Sequence, residues 1–106
     1  MNKDCIFCRI IDQEIPSQVI AEDNNVLVIK DINPQAPIHY LIIPKKHVVD
    51  IGALTVQDTH LASSLLLMAQ KLSTFPGCDQ FKLHSNNGPA AGQVVFHIHI
   101  HFLAGW

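Results

Sequence analysis

Apolar positions alternate or cluster in short runs early in the chain, adopt a helical spacing in its middle, and return to short runs near its end. Residues 19–21 and 26–29 are two apolar runs separated by Asp23, Asn24 and Asn25. Asp and Asn close tight turns with their own side chains, so this pattern predicts a β-hairpin. Residues 32–37 hold Pro34 and Pro37, which makes the stretch a stiff, extended loop. A third apolar run covers residues 40–43 and ends at Pro44. From Thr55 the period changes. Leu61, Leu65, Met68 and Leu72 recur at steps of four, three and four, which marks one face of a helix. Thr55 and Asp58 have the spacing of a capping box ahead of it, and Pro76-Gly77 ends it. Strand-like runs follow at residues 80–84 and 94–103, joined by the loop SNNGPAAGQ. Near the N-terminus, residues 5–12 predict a short helical turn with Ile6, Ile10 and Phe7 inward, stopped by Pro16. Together these elements predict one α+β domain over residues 1–106. Its mainly antiparallel sheet has about five strands, with one long helix and a short N-terminal helix.

Composition narrows the classes. A chain of 106 residues suits one compact domain, and 48% apolar against 15% charged residues supports a packed core. The net charge of −2 and the lack of any basic run argue against a nucleic-acid partner, which would need a basic stripe along the phosphate backbone. One phosphate group needs only a local set of donors, so small anionic ligands stay open. Asp4, Arg9, Asp12 and Glu14 interrupt the N-terminal stretch where a secretory signal needs an apolar core. No segment approaches the roughly 18 apolar residues of a membrane span. Three cysteines cannot all pair with one another, and two of them stand as CxxC. The expected setting is therefore a reducing cytoplasm.

The stretch FHIHIHFL, residues 96–103, carries the most unusual chemistry. Residues two apart in a strand share a face, so His97, His99 and His101 point one way while Ile98, Ile100 and Phe102 point into the core. A lone strand histidine is commonly structural, but three in register crowd groups that repel one another when protonated. Two chemistries fit this arrangement. The three imidazoles could bind one catalytic metal. Alternatively one of them is a nucleophile toward phosphorus while its neighbours manage protons and charge. The preceding loop, rich in small residues and amides, favours the second reading, because its N–H groups could cradle phosphate oxygens.

The spacing His97-Ile98-His99-Ile100-His101-Phe102-Leu103 resembles the signature of the histidine triad family. CIFCRIIDQEIPSQVIAED, KDINPQAPIHYLIIPKKH and LHSNNGPAAGQ extend the resemblance over nearly the whole chain, and toward its Hint branch of nucleotide-binding proteins. The resemblance implies a purine nucleotide hydrolase or nucleotidyl transferase. Such an enzyme cleaves nucleoside 5′-phosphoramidates, conjugates of AMP or GMP, through a nucleotidyl-histidine intermediate. It implies His99 as nucleophile, with His101 on the phosphate and His97 as the third triad member. Asn86, Gly92, Gln93 and Val94 would hold phosphate oxygens, Asp31 the ribose hydroxyls, and Phe7, Ile10 and Ile29 the base. A homodimer with sheets joined side by side is also implied. Two features depart from the pattern: Val94 stands where relatives commonly have serine, and the chain stops at Trp106 where many continue into a tail.

Cys5-Ile6-Phe7-Cys8 is a separate motif. Thioredoxin-like redox chemistry usually places CxxC between a strand and a long helix, which only four preceding residues do not allow. Zinc needs two further ligands, and His47 is a natural third. Microbial triad relatives bind zinc through such a CxxC, this loop histidine and the first triad histidine. The resemblance therefore implies a closed, structural zinc site of Cys5, Cys8, His47 and His97. Two alternatives to the hydrolase are a non-catalytic nucleotide- or partner-binding module and a metal-dependent hydrolase using all three triad histidines.

Overall fold

Strand alternation sorts the sheet's side chains into two separate cores. The computed structural model describes residues 3–106. Five strands run in the spatial order β1-β2-β3-β5-β4: β1 (Val19–Glu22), β2 (Val26–Lys30), β3 (Ile38–Pro44), β4 (Phe81–His84) and β5 (Ile100–Ala104). Every neighbouring pair is antiparallel. Val26, Val28, Ile42, Ile100 and Phe102 face the long helix α2 (Thr59–Leu72) and meet its buried Leu61, Leu65, Met68 and Leu72. The four helix positions spaced for one face are thus all buried, with Ala69 beside them. On the opposite face, Leu27, Ile29, Leu41 and Ile43 pack against Cys5, Phe7 and Cys8 of the N-terminal segment. Strands β2 and β3 are covered on both sides, which explains their near-continuous apolar runs.

The capping box forms, but it closes a single 3₁₀ turn, Val56–Asp58, that leads into α2. Thr55 N–H donates to Asp58 Oδ2 at 3.0 Å, and Lys46 Nζ reaches Asp58 Oδ1 at 2.7 Å. These contacts hold the carboxyl below the usual carboxylate range, the Lys46 hydrogen bond first.

Two local expectations need correction. Helix α1 (Ile6–Ile11) buries Phe7 and Cys8, while Ile6 is 46% exposed. Nor does Pro16 end it. Gln13 takes a left-handed φ of 64°, and the N–H groups of Gln13 and Glu14 donate back to the carbonyls of Ile10 and Arg9. That is the Schellman arrangement, which satisfies helix-terminal carbonyls three residues before the proline is reached.

The last strand is also shorter than residues 94–103. Its ladder begins at Ile100, because residues 97–99 leave the sheet and Ile98 N–H donates to Val48 O at 2.8 Å. Side-chain alternation survives the departure, since Ile98, Ile100 and Phe102 all join the helix-side core. Among the described residues no helix is long and apolar enough to cross a membrane.

Candidate active site and metal cluster

The histidine-bearing segment sets its rings on the α1 side of the sheet. In β5, His101 lies opposite Leu41 of β3, a residue of the core against α1. Phe7 of α1 meets the rings of His99 and His97 edge-on, with centroids 5.0 and 5.9 Å away. His97 is fully buried and His99 nearly so.

The hydrogen bonds fix where each neutral ring carries its proton. A carbonyl can only accept, and a backbone N–H can only donate. His97 Nε2 lies 2.7 Å from Pro44 O, so its proton sits there and its Nδ1 lone pair faces Cys5, Cys8 and His47. His99 Nδ1 lies 2.8 Å from His97 O, so that nitrogen donates and Nε2 keeps the lone pair. Gln35 N–H donates to His39 Nδ1 at 3.0 Å, which puts the His39 proton on Nε2. His39 Nε2 then faces His101 Nδ1 at 2.9 Å and Asp31 Oδ2 at 3.3 Å. His101 Nδ1 therefore accepts, and His101 carries its proton on Nε2. The result is a bare ring nitrogen on His99 beside an N–H donor on His101, their centroids 5.3 Å apart.

His39 is the residue that sequence reasoning missed. It reads as an ordinary strand histidine, yet it is 4% exposed and orients His101. Only the β3–β5 pairing brings these two rings together. His84 was also unassigned, and its ring stacks on that of His101 at 4.3 Å.

Phe7, Ile10, Ile29 and Asp31, expected to hold a nucleoside, line one cavity of about 550 Å³ together with Ile32 and Leu41. Its size falls within the range of small-molecule sites. Phe7 links this cavity to His99, and Asp31 links it to His39 and so to His101. Asp31 Oδ1 also accepts from Asn33 N–H at 2.8 Å, so the carboxylate shapes its turn while keeping further acceptor capacity.

The loop before the histidines is braced from within. Gly92 N–H donates to Pro89 O and Gln93 N–H to Gly88 O. The Gln93 side chain is buried, accepting from Gly88 N–H and donating to Val49 O and Val95 O. Gln93 is therefore a strut, because a buried amide must find partners inside the protein. Of the amides expected to bind phosphate, only Val94 N–H has no acceptor among the described residues, and its side chain is 81% exposed. Asn86 Nδ2 reaches Gly92 O at 3.4 Å. Gly92 has a φ of 93°, which favours glycine, and a Cβ there would stand 3.0 Å from Asn86 Nδ2 and press on that side chain.

On the far side of His97, four potential ligands converge. Cys5 Sγ is 3.3 Å and Cys8 Sγ 3.6 Å from His97 Nδ1, while His47 Nδ1 is 3.2 Å from Cys8 Sγ and 3.1 Å from His97 Nδ1. All four ligand atoms lie within 4.8 Å of one another, a group that could hold a metal ion. No group of this kind among the described residues combines His97, His99 and His101. The first triad histidine belongs to the cysteine cluster and the other two to the cavity side.

Burial pushes His97 and His39 below the ordinary imidazole value, with Asp31 opposing the effect at His39. His101 is pushed down to about 4, by burial first and then by the neighbouring histidines. The unfolded chain therefore takes up a proton on this residue before the folded chain does. Its contribution to stability is fully present above about pH 6.5 and is lost as pH falls through about 4. An NMR titration of the His101 Cε1–H resonance should show its midpoint near 4, and a midpoint near 6.5 would contradict this account.

Comparison with known proteins identifies the family. A HIT domain profile matches residues 12–106. The chain is 47% identical to an uncharacterized HIT-like protein of Synechocystis, over 99% of this chain and 93% of the relative. It superposes on a HIT family hydrolase from Legionella pneumophila with a TM-score of 0.92, at 43% identity over 96% of this chain and 93% of that one. A zinc-bound histidine triad family protein from Mycobacterium smegmatis gives a TM-score of 0.83 at 32% identity, over 96% of this chain and 75% of that one. By sequence and by fold, the chain belongs to the HIT, or histidine triad, domain family.

Proposed function

We propose that the protein is a purine nucleotide hydrolase or nucleotidyl transferase of the Hint kind, acting on nucleoside 5′-phosphoramidates or related monophosphate conjugates. The observation that carries this reading is the paired nitrogens: a lone pair on His99 Nε2 beside a proton on His101 Nε2, next to a cavity with an apolar lining and one carboxylate. Phe7, Ile10 and Ile29 would receive the base, and Asp31 the ribose hydroxyls. Asn86 and Val94 N–H would bind phosphate oxygens together with His101.

In the first step His99 Nε2 attacks phosphorus. The P–N bond to the amine breaks, and the amine leaves with its bonding pair and a proton from solvent. Negative charge growing on the phosphoryl oxygens meets the fixed N–H donor of His101, which needs no reorganisation as the reaction proceeds. Water then cleaves the bond between phosphorus and His99, releasing the nucleoside monophosphate and a proton. His99 recovers its lone pair. Release of AMP from adenosine 5′-phosphoramidate should be measurable in the wild type. It should fall in His99→Ala by more than the roughly 10²–10⁴-fold expected from losing an acid or base alone. A non-catalytic nucleotide module is the second reading, favoured by Val94, whose apolar side chain can donate nothing to a leaving group. AMP binding without turnover in the wild type would select it.

We further propose that Cys5, Cys8, His47 and His97 hold a structural zinc. A tetrahedral zinc with bonds of about 2.3 Å to sulfur and about 2.0–2.1 Å to nitrogen sets its ligand atoms about 3.3–3.8 Å apart. The separations of 3.1–3.6 Å between these ligand atoms overlap that range, with the two contacts of His47 Nδ1 slightly shorter. The His97 tautomer also presents a lone pair on the correct nitrogen. Four protein ligands would leave no position for substrate, so the metal would fasten α1 to the segment that carries His99. Thiolate ligation fits a reducing compartment such as the cytoplasm, where Cys5 and Cys8 escape oxidation. Purified protein should contain about one zinc per chain by elemental analysis. Cys8→Ser should lose the metal and melt at lower temperature, and metal-free wild type with an unchanged melting temperature would refute the assignment.

A homodimer through the β4 edge completes the proposal. All four residues of β4 are exposed, and an open edge strand presents unpaired backbone groups to a second copy. Phe81 and Leu83 on the helix-side face, with Leu66 and Leu67 exposed on α2, add apolar surface. Light scattering at micromolar concentration should give twice the chain mass of 11.8 kDa, and a mass of one chain would dismiss this edge as an interface.

A further inference from the structure

One imidazole near the site has no part in the chemistry so far. His84 ends β4 directly opposite His101 in the β4–β5 register. The two rings lie face to face, with centroids 4.3 Å apart and 14° between their planes. No side-chain hydrogen bond fixes the His84 ring among the described residues, and β4 is exposed in the single chain. The one ring that this imidazole touches among the described residues is that of His101.

His101 is held on three sides. His39 takes its Nδ1 at 2.9 Å, His99 meets it edge-on at 5.3 Å, and His84 covers one of its faces. Rotation of the His101 ring would break the His39 hydrogen bond and slide it off the His84 plane together. We propose that His84 is a positioning residue of the phosphate subsite: stacked on His101, it keeps Nδ1 of that ring on His39 and the Nε2 proton toward the substrate phosphate. This role presupposes phosphoryl chemistry at His99.

Electrostatics points the same way. The titratable and charged groups around His101 are His39 from β3 with Asp31 beyond it, His99 from the segment before β5, and His84 from β4, whose Lys82 shares the same face. Asp31 is the one anion in this set. Two cationic rings in contact repel, so the His84 ring opposes a second proton on His101. After burial, His84 is the largest influence holding His101 neutral, and it acts on His39 in the same direction.

The test compares wild type, His84→Phe and His84→Ala by NMR titration of His101 and by kcat and KM for adenosine 5′-phosphoramidate. His84→Phe keeps a flat ring without a charge, and His84→Ala removes both. The His101 midpoint should rise in both variants by roughly half to one pH unit, for a like charge at this distance screened as in bulk water. The acid limb of the pH–rate profile should move with it. His84→Ala should lower kcat about three- to tenfold with KM little changed, as for a contact that matters when charge develops, and His84→Phe should recover most of that loss. An unchanged His101 midpoint in both variants, with folding intact by circular dichroism, would overturn the proposal. So would wild-type kcat in His84→Ala. A wild type without turnover would instead sink the phosphoryl reading, and the titration alone would then decide whether His84 governs His101.

Discussion

A neutral imidazole has one proton and one lone pair, and this site is organised by where the surrounding backbone takes each. Pro44 O takes the proton of His97, His97 O takes that of His99, and Gln35 N–H takes a lone pair of His39. Three backbone groups thereby set the tautomers of four rings, because His39 passes its orientation on to His101. Burial reinforces the arrangement by disfavouring the charged form of His97, His39 and His101. A protonated ring would present two donors and lose the distinction between its nitrogens. Holding these rings neutral is what makes adjacent residues of one repeated type chemically different.

The frame for that arrangement is a sheet covered on both faces. Helix α2 closes one side with Leu61, Leu65, Met68 and Leu72, so His39 and His101 stand on the opposite side of β3 and β5, beside the apolar Leu41 and Ile43. Helix α1 is only six residues long, and a helix of that length has little stability of its own. What anchors it is Phe7 and Cys8 in the second core, together with the Cys5 and Cys8 contacts to His97 and His47. The cysteine cluster and the cavity wall therefore share one short element. A disturbance at Cys5 or Cys8 reaches Phe7 directly, and Phe7 lies against His99.

The braced loop before the histidines works by a similar economy of contacts. Gln93 ties Gly88 to Val49 and Val95, and Ser85 Oγ donates to His99 O at 2.9 Å. The loop's amide-rich composition was visible as a potential anion cradle. Most of those amides in fact hold the loop to itself and to its neighbours. Composition counts donors but does not say which of them are already occupied, and that is settled by how the backbone folds back at Gly88 and Gly92.

Periodicity was the part of the sequence that translated most directly into structure. The leucine spacing of α2, the apolar runs of β2 and β3 and the alternation of Ile98, Ile100 and Phe102 each report a local repeat, and local repeats are properties of the chain itself. The triad spacing also marked the family, because so specific a run of side chains is legible without any local geometry. What the repeat could not show is that His97 leaves the ladder, faces Cys5 and Cys8 and separates from its two companions. Nor could it show that His39, 62 residues from His101 in sequence, would orient that ring, or that His84 would stack upon it. The sequence by itself determined the inward positions of α2, β2, β3 and the triad segment, and which reactive side chains are present. Only the tertiary structure decided which nitrogen faces which partner, because hydrogen-bond assignments between distant segments depend on strand register and burial, and neither is encoded at any single position.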